Sequence, residues 1–242
     1  MSSNPLKSVP SQPAAELSGS PRRYPRAKRR QQIIENAAAF FAEHGFHGTT
    51  RDLAERVGIT QAALYKHFAS KDAIVAAVFE SLAERWRTED WRSALSDQSL
   101  ALETRLTRQY STYLARTTEV GLRLFMRAGL DGLAQPARRG AMLTASILEP
   151  VIDALRSDAR LAAVAERPFI HGEREVAMAL HGGIMFLAIR KHVYRMPMPD
   201  DLSDIAGLQV RLWLPGAKEE IRRLHASKDQ PRQLAPRAKP PR

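Results

Sequence analysis

Apolar residues recur along this chain at three- and four-residue intervals, the period of helices packed on a core, and no stretch alternates as a strand would. From Arg26 onward, Ile33, Ile34, Ala37, Ala38 and Phe41 fall on one stripe, and His44-Gly45 stops the helix. A tighter pattern follows. The spacing over residues 49–71, TTRDLAERVGITQAALYKHFASK, predicts a short helix over 50–57, a break at Gly58, and a second short helix opening at Thr60. Thr49 can cap the first helix, Asp52 completes a capping box, and Gly58 supplies the left-handed residue that ends it. Thr60 caps the second helix only two residues later, so the chain turns sharply. Leu53, Val57, Ile59 and Leu64 make the small core that sets the crossing, with Phe40 and Phe46 closing its sides.

After Ser70, a capping residue, Ile74, Val78, Leu82 and Trp86 recur every four residues beside Val75 and Phe79. They predict a fourth helix to about residue 87, which starts at Lys71 beside the short pair and runs on as a lever toward the second half of the chain. Residues 88–99, with Trp91, are polar and read as irregular. Leu102, Leu106, Tyr110, Tyr113 and Leu114 mark a helix to about 116, and Val120, Leu124, Phe125 and Ala128 mark another, ended by Gly129 and Gly132. Residues 137–157 repeat the pattern through Leu143, Ile147, Val151 and Leu155, with a bend or break expected at Pro150. A weaker, short helical stretch is expected over 158–170.

Between Val176 and Ile189 the only titratable side chain is His181, so the helix over 173–193 is apolar all round and has to be covered all round. Gly182 and Gly183 cost roughly 1 kcal/mol each in a helix interior, a cost that another backbone approaching closely would offset. Leu202, Ile205, Leu208, Leu212 and Trp213 form a second apolar helix, expected to end at Pro215-Gly216. The class is all-α: an N-terminal three-helix helix-turn-helix unit over 26–88, joined through the fourth helix to a C-terminal helical domain over 89–224. Residues 1–25 hold five prolines among Ser and Arg, and 225–242 are again Pro-rich and basic. Both read as disordered tails.

Charge sharpens this division. The formal net charge is +11, but residues 1–30 hold seven Lys and Arg against Glu16, and 226–242 hold five against Asp229. Residues 31–88 hold six basic against seven acidic residues. The helix-turn-helix therefore has no excess positive charge of its own, and the arm over 22–30 is the expected source of non-specific attraction to a polyanion.

Two crossed helices joined by a tight turn present the N-terminal end of the second to a major groove. At helical spacing Gln61, Ala62, Tyr65 and Lys66 share one arc. The Gln61 amide can pair with adenine N6 and N7, Ala62 can touch a thymine methyl, and Tyr65 and Lys66 reach toward phosphate. Spacing alone leaves open an ordinary helical hairpin. The residue string decides more: GFHGTTRDLAERVGITQAALYKHFASKDAI closely resembles the DNA-binding segment of the TetR family of transcriptional regulators, through G-F-x-x-T-T-R-x-L-A, the V-G-I-T turn and L-Y-x-H-F-x-x-K.

The resemblance implies that Thr49 and Thr50 approach the DNA backbone, that Arg51 contacts phosphate or guanine, and that Gln61, Ala62 and Lys66 face bases. It also implies that Tyr65, His67 and Lys71 hold phosphates; Thr60, at the cap, joins the DNA-binding set. Lys66 departs from the aromatic or His often found at its position, so no relative's operator can be transferred to this chain. The resemblance further implies that the last two apolar helices pair with those of a second subunit in a four-helix interface.

No cysteine is present, the histidines show no metal-ligand spacing, and no serine elbow or Walker-type loop occurs. The expectation is a protein that is not an enzyme and takes no cofactor or metal. The longest nearly uncharged run is too short for a membrane span and the N-terminus lacks the apolar core of a secretory signal, giving a soluble, cytoplasmic expectation. The C-terminal domain is expected to hold a small-molecule effector in an apolar cavity. Its candidate contacts are Tyr110, Tyr113, Phe125, Met126, Met142, His181, Met185 and Phe186, with Arg123 and Arg127 as partners for an acidic ligand. The combined reading is a homodimeric, sequence-specific regulator of double-stranded DNA, binding a pseudo-palindromic operator as a repressor that an effector releases. The alternative is an activator or adaptor whose C-terminal domain binds protein. Removing residues 1–25, and with them Arg22 and Arg23, is expected to flatten the dependence of DNA affinity on salt; a slope unchanged in a titration from low to moderate ionic strength would show that the arm adds nothing.

Overall fold

The computed structural model describes residues 26–87, 90–134 and 140–226, and every regular element among them is helical. Four helices open the chain: α1 (Arg26–His44), α2 (Thr50–Val57), α3 (Gln61–Tyr65) and α4 (Lys71–Arg87). Gly45 ends α1 with φ 75° and Gly58 ends α2 with φ 72°, both in the left-handed region where a side chain would be strained. Ile33, Ala37 and Phe41 of α1, Leu53 of α2, Leu64 of α3, and Ile74 and Val78 of α4 bury almost completely in one core.

That core also takes Leu124 and Ala128 from α7 (Glu119–Leu130), fifty residues beyond α3. The helix-turn-helix unit is thus not closed by residues 26–88 alone. Arg127 of α7 donates to the carbonyl oxygens of Ala42 (2.9 Å) and Glu43 (2.8 Å), two of the acceptors that the end of α1 leaves without intrahelical partners. The Asp131 carboxylate accepts from the Phe46 amide at 3.3 Å. Both arginines proposed as ligand partners are therefore engaged within the chain, Arg127 on α1 and Arg123 on Glu119 at 3.2 Å.

The second core is built from α5 (Trp91–Ser96), α6 (Leu102–Arg116), α8 (Glu149–Asp158), α9 (His171–His192) and α10 (Ser203–Ala226). The segment expected to be irregular contains α5. Asp90 caps it, its Oδ1 accepting from Ser93 N at 2.9 Å, and Trp91 docks edge-on against Tyr110 with ring centroids 4.9 Å apart. One buried aromatic and one cap are enough to order six residues in tertiary context, too few for periodicity to reveal.

Pro150 does not break its helix. A π-helical turn at Thr144–Leu148 precedes it, and Glu149 N–H reaches back to Thr144 O, so the ladder widens just where the proline can supply no donor. Likewise α10 continues through Pro215 to Ala226 instead of ending there. Arg211 and Pro215 lie on its exposed side, so the carbonyl that loses its donor is open to water, while Leu214, Ala217 and Ile221 continue the buried stripe.

Residues 159–170 form turns and extended chain where a short helix was expected. They are held chiefly by buried Arg156, with Asp153 accepting from Val164 N at 2.7 Å. Arg156 donates to the carbonyls of Ala162 (3.1 Å), Arg167 (2.6 Å) and Pro168 (3.3 Å), and pairs with both carboxylate oxygens of Glu173 at 2.7 and 2.6 Å. Glu173 also accepts from Ile170 N at 2.8 Å and lies 2.8 Å from Nε2 of His225 in the last turn of α10. The Arg156 and Glu173 side chains are wholly buried.

Burial pushes the Glu173 carboxyl up, but the hydrogen bonds from Arg156 and His225 outweigh it and hold its pKa below the ordinary 4.5. A carboxyl depressed in the folded state stabilises the fold above its unfolded pKa and loses that contribution as pH falls through the folded value. Glu173→Gln leaves Arg156 a buried, uncompensated cation and is expected to cost about 3–5 kcal/mol at neutral pH. Urea unfolding from pH 7 down to pH 3 checks both size and sign, since the gap between wild type and variant should narrow toward the acid end.

Candidate nucleic-acid interface

The geometry of the reader rests on three caps. Thr49 Oγ1 accepts from Asp52 N at 3.2 Å and donates to Asp52 Oδ2 at 2.7 Å; Thr60 Oγ1 accepts from Ala63 N at 3.1 Å; Ser70 Oγ accepts from Ala73 N at 3.1 Å. Each side chain satisfies an amide that the helix leaves open, and each fixes a start within a few residues of the previous stop. The Arg56 guanidinium grips Glu43 of α1 with contacts of 2.5 and 2.9 Å and holds the Glu43 carboxyl below its usual range. Buried Leu53 and Leu64 lock α2 across α3 from beneath.

On the outer side, Thr49, Arg51, Thr60, Gln61, Ala62 and Lys66 are exposed. Tyr65 is 44% exposed, while His67 and Lys71 are half-buried. Lys66 stands at the C-cap of α3, one residue past its last turn, and Lys71 opens α4. Thr50 departs from this exposed set. It is buried, and its hydroxyl lies 2.9 Å from Gln61 Nε2 and 3.1 Å from Tyr65 Oη. The structure therefore gathers the ten positions along α2, α3 and the first turn of α4, with Thr50 beneath the surface that the others form.

Arg30 was not among those positions. Its guanidinium sits over the Phe68 ring at 4.7 Å, which brings the basic start of α1 beside the junction of α3 and α4. The cluster Arg26, Lys28, Arg29 and Arg30 is thus built on a helix next to the reader rather than strung along a tail. A cation sitting one α1 stripe away from a buried aromatic was the available signal, but it emerges only once Phe68 is known to face α1. Residues 1–25 and 227–242, which carry the remaining tail charge, lie outside the described residues, and so does the side chain of Trp86.

The second set of candidate residues divides. Tyr110, Tyr113 and His181 are buried together, with ring centroids 6.1 Å apart for Tyr110 and His181 and 5.3 Å for Tyr113 and His181. The Tyr110 hydroxyl is buried with no hydrogen-bond partner among the described residues, and burial drives its pKa up. Phe125, Met126, Met142 and Met185 are half-buried on α7, ahead of the π-helical turn, and on α9. Phe186 instead points outward, half exposed, with Tyr194 edge-on to it at 6.4 Å. A hollow of about 290 Å³ near Gln98, Arg105 and Asp158, and one of about 80 Å³ near Ser111, Lys191 and Asp201, are lined by none of the eight candidates. Among the described residues no group of His, Asp and Glu could hold a metal ion, and no helix is long and apolar enough to cross a membrane.

Comparison with known proteins meets this geometry at the same residues. The model of bacterial regulatory proteins of the tetR family matches residues 33–78, from the core stripe of α1 to the middle of α4. The HTH-type transcriptional repressor KstR2 of Mycobacterium tuberculosis is 38% identical over 76 residues, 31% of this chain and 38% of that protein. The tetracycline repressor protein class C of Escherichia coli is 39% identical over 74 residues, 27% of this chain and 34% of that protein. The chain thus matches little more than a third of the length of these relatives. A TetR-like transcriptional regulator from Rhodococcus sp. RHA1 superimposes with a TM-score of 0.59 at 22% identity, covering 80% of this chain and all of that one, which extends the likeness of fold through the C-terminal helices.

Proposed function

We propose that this chain, which belongs to the TetR family of bacterial regulatory proteins, is a homodimeric, sequence-specific DNA-binding regulator that acts as a repressor released by a small-molecule effector. The observation that carries the reading is the reader surface itself. A capped, crossed helix pair leaves Gln61, Ala62 and Lys66 exposed at the start and end of α3, with Arg51, Tyr65, His67 and Lys71 around them as phosphate contacts. Gln61 and Ala62 read base edges, Lys66 reaches a base or phosphate beyond the helix end, and Thr49, Thr50 and Thr60 set the approach of the backbone.

A second copy is supported by what α9 and α10 leave uncovered. Gly182 and Phe186 on α9, and Leu208, Leu212, Pro215 and Gly216 on α10, form an exposed, largely apolar face beside the buried one. Leu212 is 74% exposed, and a Cβ built on Gly182 or Gly216 meets nothing within 4 Å. Within the chain Gly183 is packed against Gln209, so only one of the two adjacent glycines is spent on internal packing. Pairing this face with its two-fold copy makes a four-helix interface and sets two readers on one side of the dimer, for half-sites about one helical turn apart or more.

For the effector, the buried Tyr110 hydroxyl supplies a polar group without a partner among the described residues, with Tyr113 and His181 beside it and the adaptable Met185 packed against the same core. Phe125 lies on α7, the helix that enters both cores. An effector that binds better when α7 is displaced shifts the population away from DNA by its differential affinity and no further.

Two measurements test the reading. Selection from a random duplex pool should return a pseudo-palindrome with a footprint of two half-sites; no enrichment over competitor at moderate salt would refute a sequence-specific regulator. In sedimentation at micromolar concentration the chain should run as a dimer and Leu212→Arg as a monomer of unchanged helicity, and a wild-type monomer would remove the interface.

A further inference from the structure

The Thr50 hydroxyl lies beneath the exposed side chains of α3. Thr50 is 8% exposed, yet its Oγ1 is the meeting point of two side chains of the reader: it accepts from Gln61 Nε2 at 2.9 Å and lies 3.1 Å from Tyr65 Oη. A primary amide is asymmetric, one end accepting and the other donating, and an unrestrained glutamine can present either end to a base. With one Nε2 hydrogen committed to Thr50, the atoms left for the groove are Oε1 and the second Nε2 hydrogen. Tyr65 offers a place for the remaining proton. Thr50 has a single hydroxyl hydrogen, and while it accepts from Gln61 it can donate that hydrogen to Tyr65 Oη, leaving the tyrosine's own O–H for a phosphate.

We propose that Thr50 is a specificity-determining positioning residue, whose buried hydroxyl fixes the Gln61 amide with its acceptor outward and so restricts the base this chain reads at that position to adenine. The inference rests on the DNA-binding reading above and deepens it. Adenine offers N6–H as donor and N7 as acceptor in the major groove, matching Oε1 and the second Nε2 hydrogen in one plane. Guanine offers O6 and N7, both acceptors, so an amide held this way sets Oε1 against O6. Cytosine offers only the N4 donor and satisfies half the pair. Releasing the amide by removing the hydroxyl allows a half-turn about its last bond, after which Nε2 can donate to guanine and the discrimination falls.

The experiment uses the full chain and the operator it selects. The base pair facing Gln61 is located as the one whose preference Gln61→Ala abolishes, and four duplexes differing only there are then titrated against each variant. The readout is a ratio of affinities within one protein, which a general loss of stability or of phosphate contact does not move. Wild type should favour A·T over G·C by about tenfold or more, Thr50→Val should bring the ratio within about threefold, and Thr50→Ser, which restores the hydroxyl, should return it toward the wild-type value. A ratio unmoved by Thr50→Val, a Thr50→Ser variant as permissive as Thr50→Val, or a wild type that selects guanine or thymine at that pair would each overturn the assignment of Thr50 while leaving the regulator reading intact. A wild-type chain that prefers no duplex at all overturns both.

Discussion

A helix that ends inside a protein must place its last carbonyls somewhere, and in this molecule the placement of two of them ties the head to the body. Arg127 of α7 donates to the carbonyls of Ala42 and Glu43 at the end of α1, while Leu124 and Ala128, on the same helix, fill the core that Phe41 and Ile74 line. A neutral side chain could meet one of those acceptors. A guanidinium meets both in one plane, and the charge strengthens each hydrogen bond. The consequence is mechanical: α1 cannot rotate against α7 without stranding a partly buried cation, so the orientation of the reader follows α7 as closely as it follows α4.

That joint changes the division of labour expected from periodicity. The fourth helix looked like the lever because its stripe is continuous and its two ends lie in different halves of the chain. It does carry Lys71 at one end, but α7 contributes both apolar filling and a polar clamp, and α7 also packs on α9 in the second core. The residues of α4 that the structure shows buried, Ile74, Val75, Val78 and Leu82, all lie in the head core, so the contacts to the second core come from α7. On the repressor reading, an effector need move α7 only slightly, because a packed joint of this kind has discrete arrangements rather than a continuum.

The helical elements of the head were legible nearly to the residue because their signals are local. Thr49, Gly58, Thr60 and Ser70 act on amides within four positions of themselves, and the caps and left-handed turn that they imply are all present. What escaped was non-local. Nothing near Pro215 announces that α10 survives it, since survival depends on which side of the helix meets water and on Leu214, Ala217 and Ile221 finding a core beyond it. Nothing near Arg156 announces that it organises residues 159–170 through three carbonyls, because Glu173, its counter-charge, lies a loop away. Arg127, which read as a possible ligand partner, is spoken for by a helix some eighty residues earlier. In the site the same rule holds: the exposed positions of α3 followed from helical spacing, whereas burial of Thr50 beneath them depends on how α2 crosses.

The buried and exposed polar groups of the reader answer different demands. An exposed amide that no neighbour holds is hydrated and mobile, so meeting a base costs it side-chain freedom before any discrimination is gained. A hydrogen bond from beneath removes part of that freedom in advance, and it can do so only if its partner is itself immobile. Thr50 qualifies because it begins α2, one residue after the cap, with Leu53 and Ala54 buried in the following turn. On the proposed DNA-binding reading the order of dependence runs inward from the groove: Gln61 would meet the base, Gln61 is bonded to Thr50, Thr50 is held by the start of α2, and α2 by its crossing with α3 and its ion pair to α1 through Arg56 and Glu43. Since α1 is in turn clamped by Arg127, a displacement of α7 would, on the same reading, pass through α1 and α2 to Thr50 and Gln61, and the pair would lose its aim even if every exposed residue on it stayed in place.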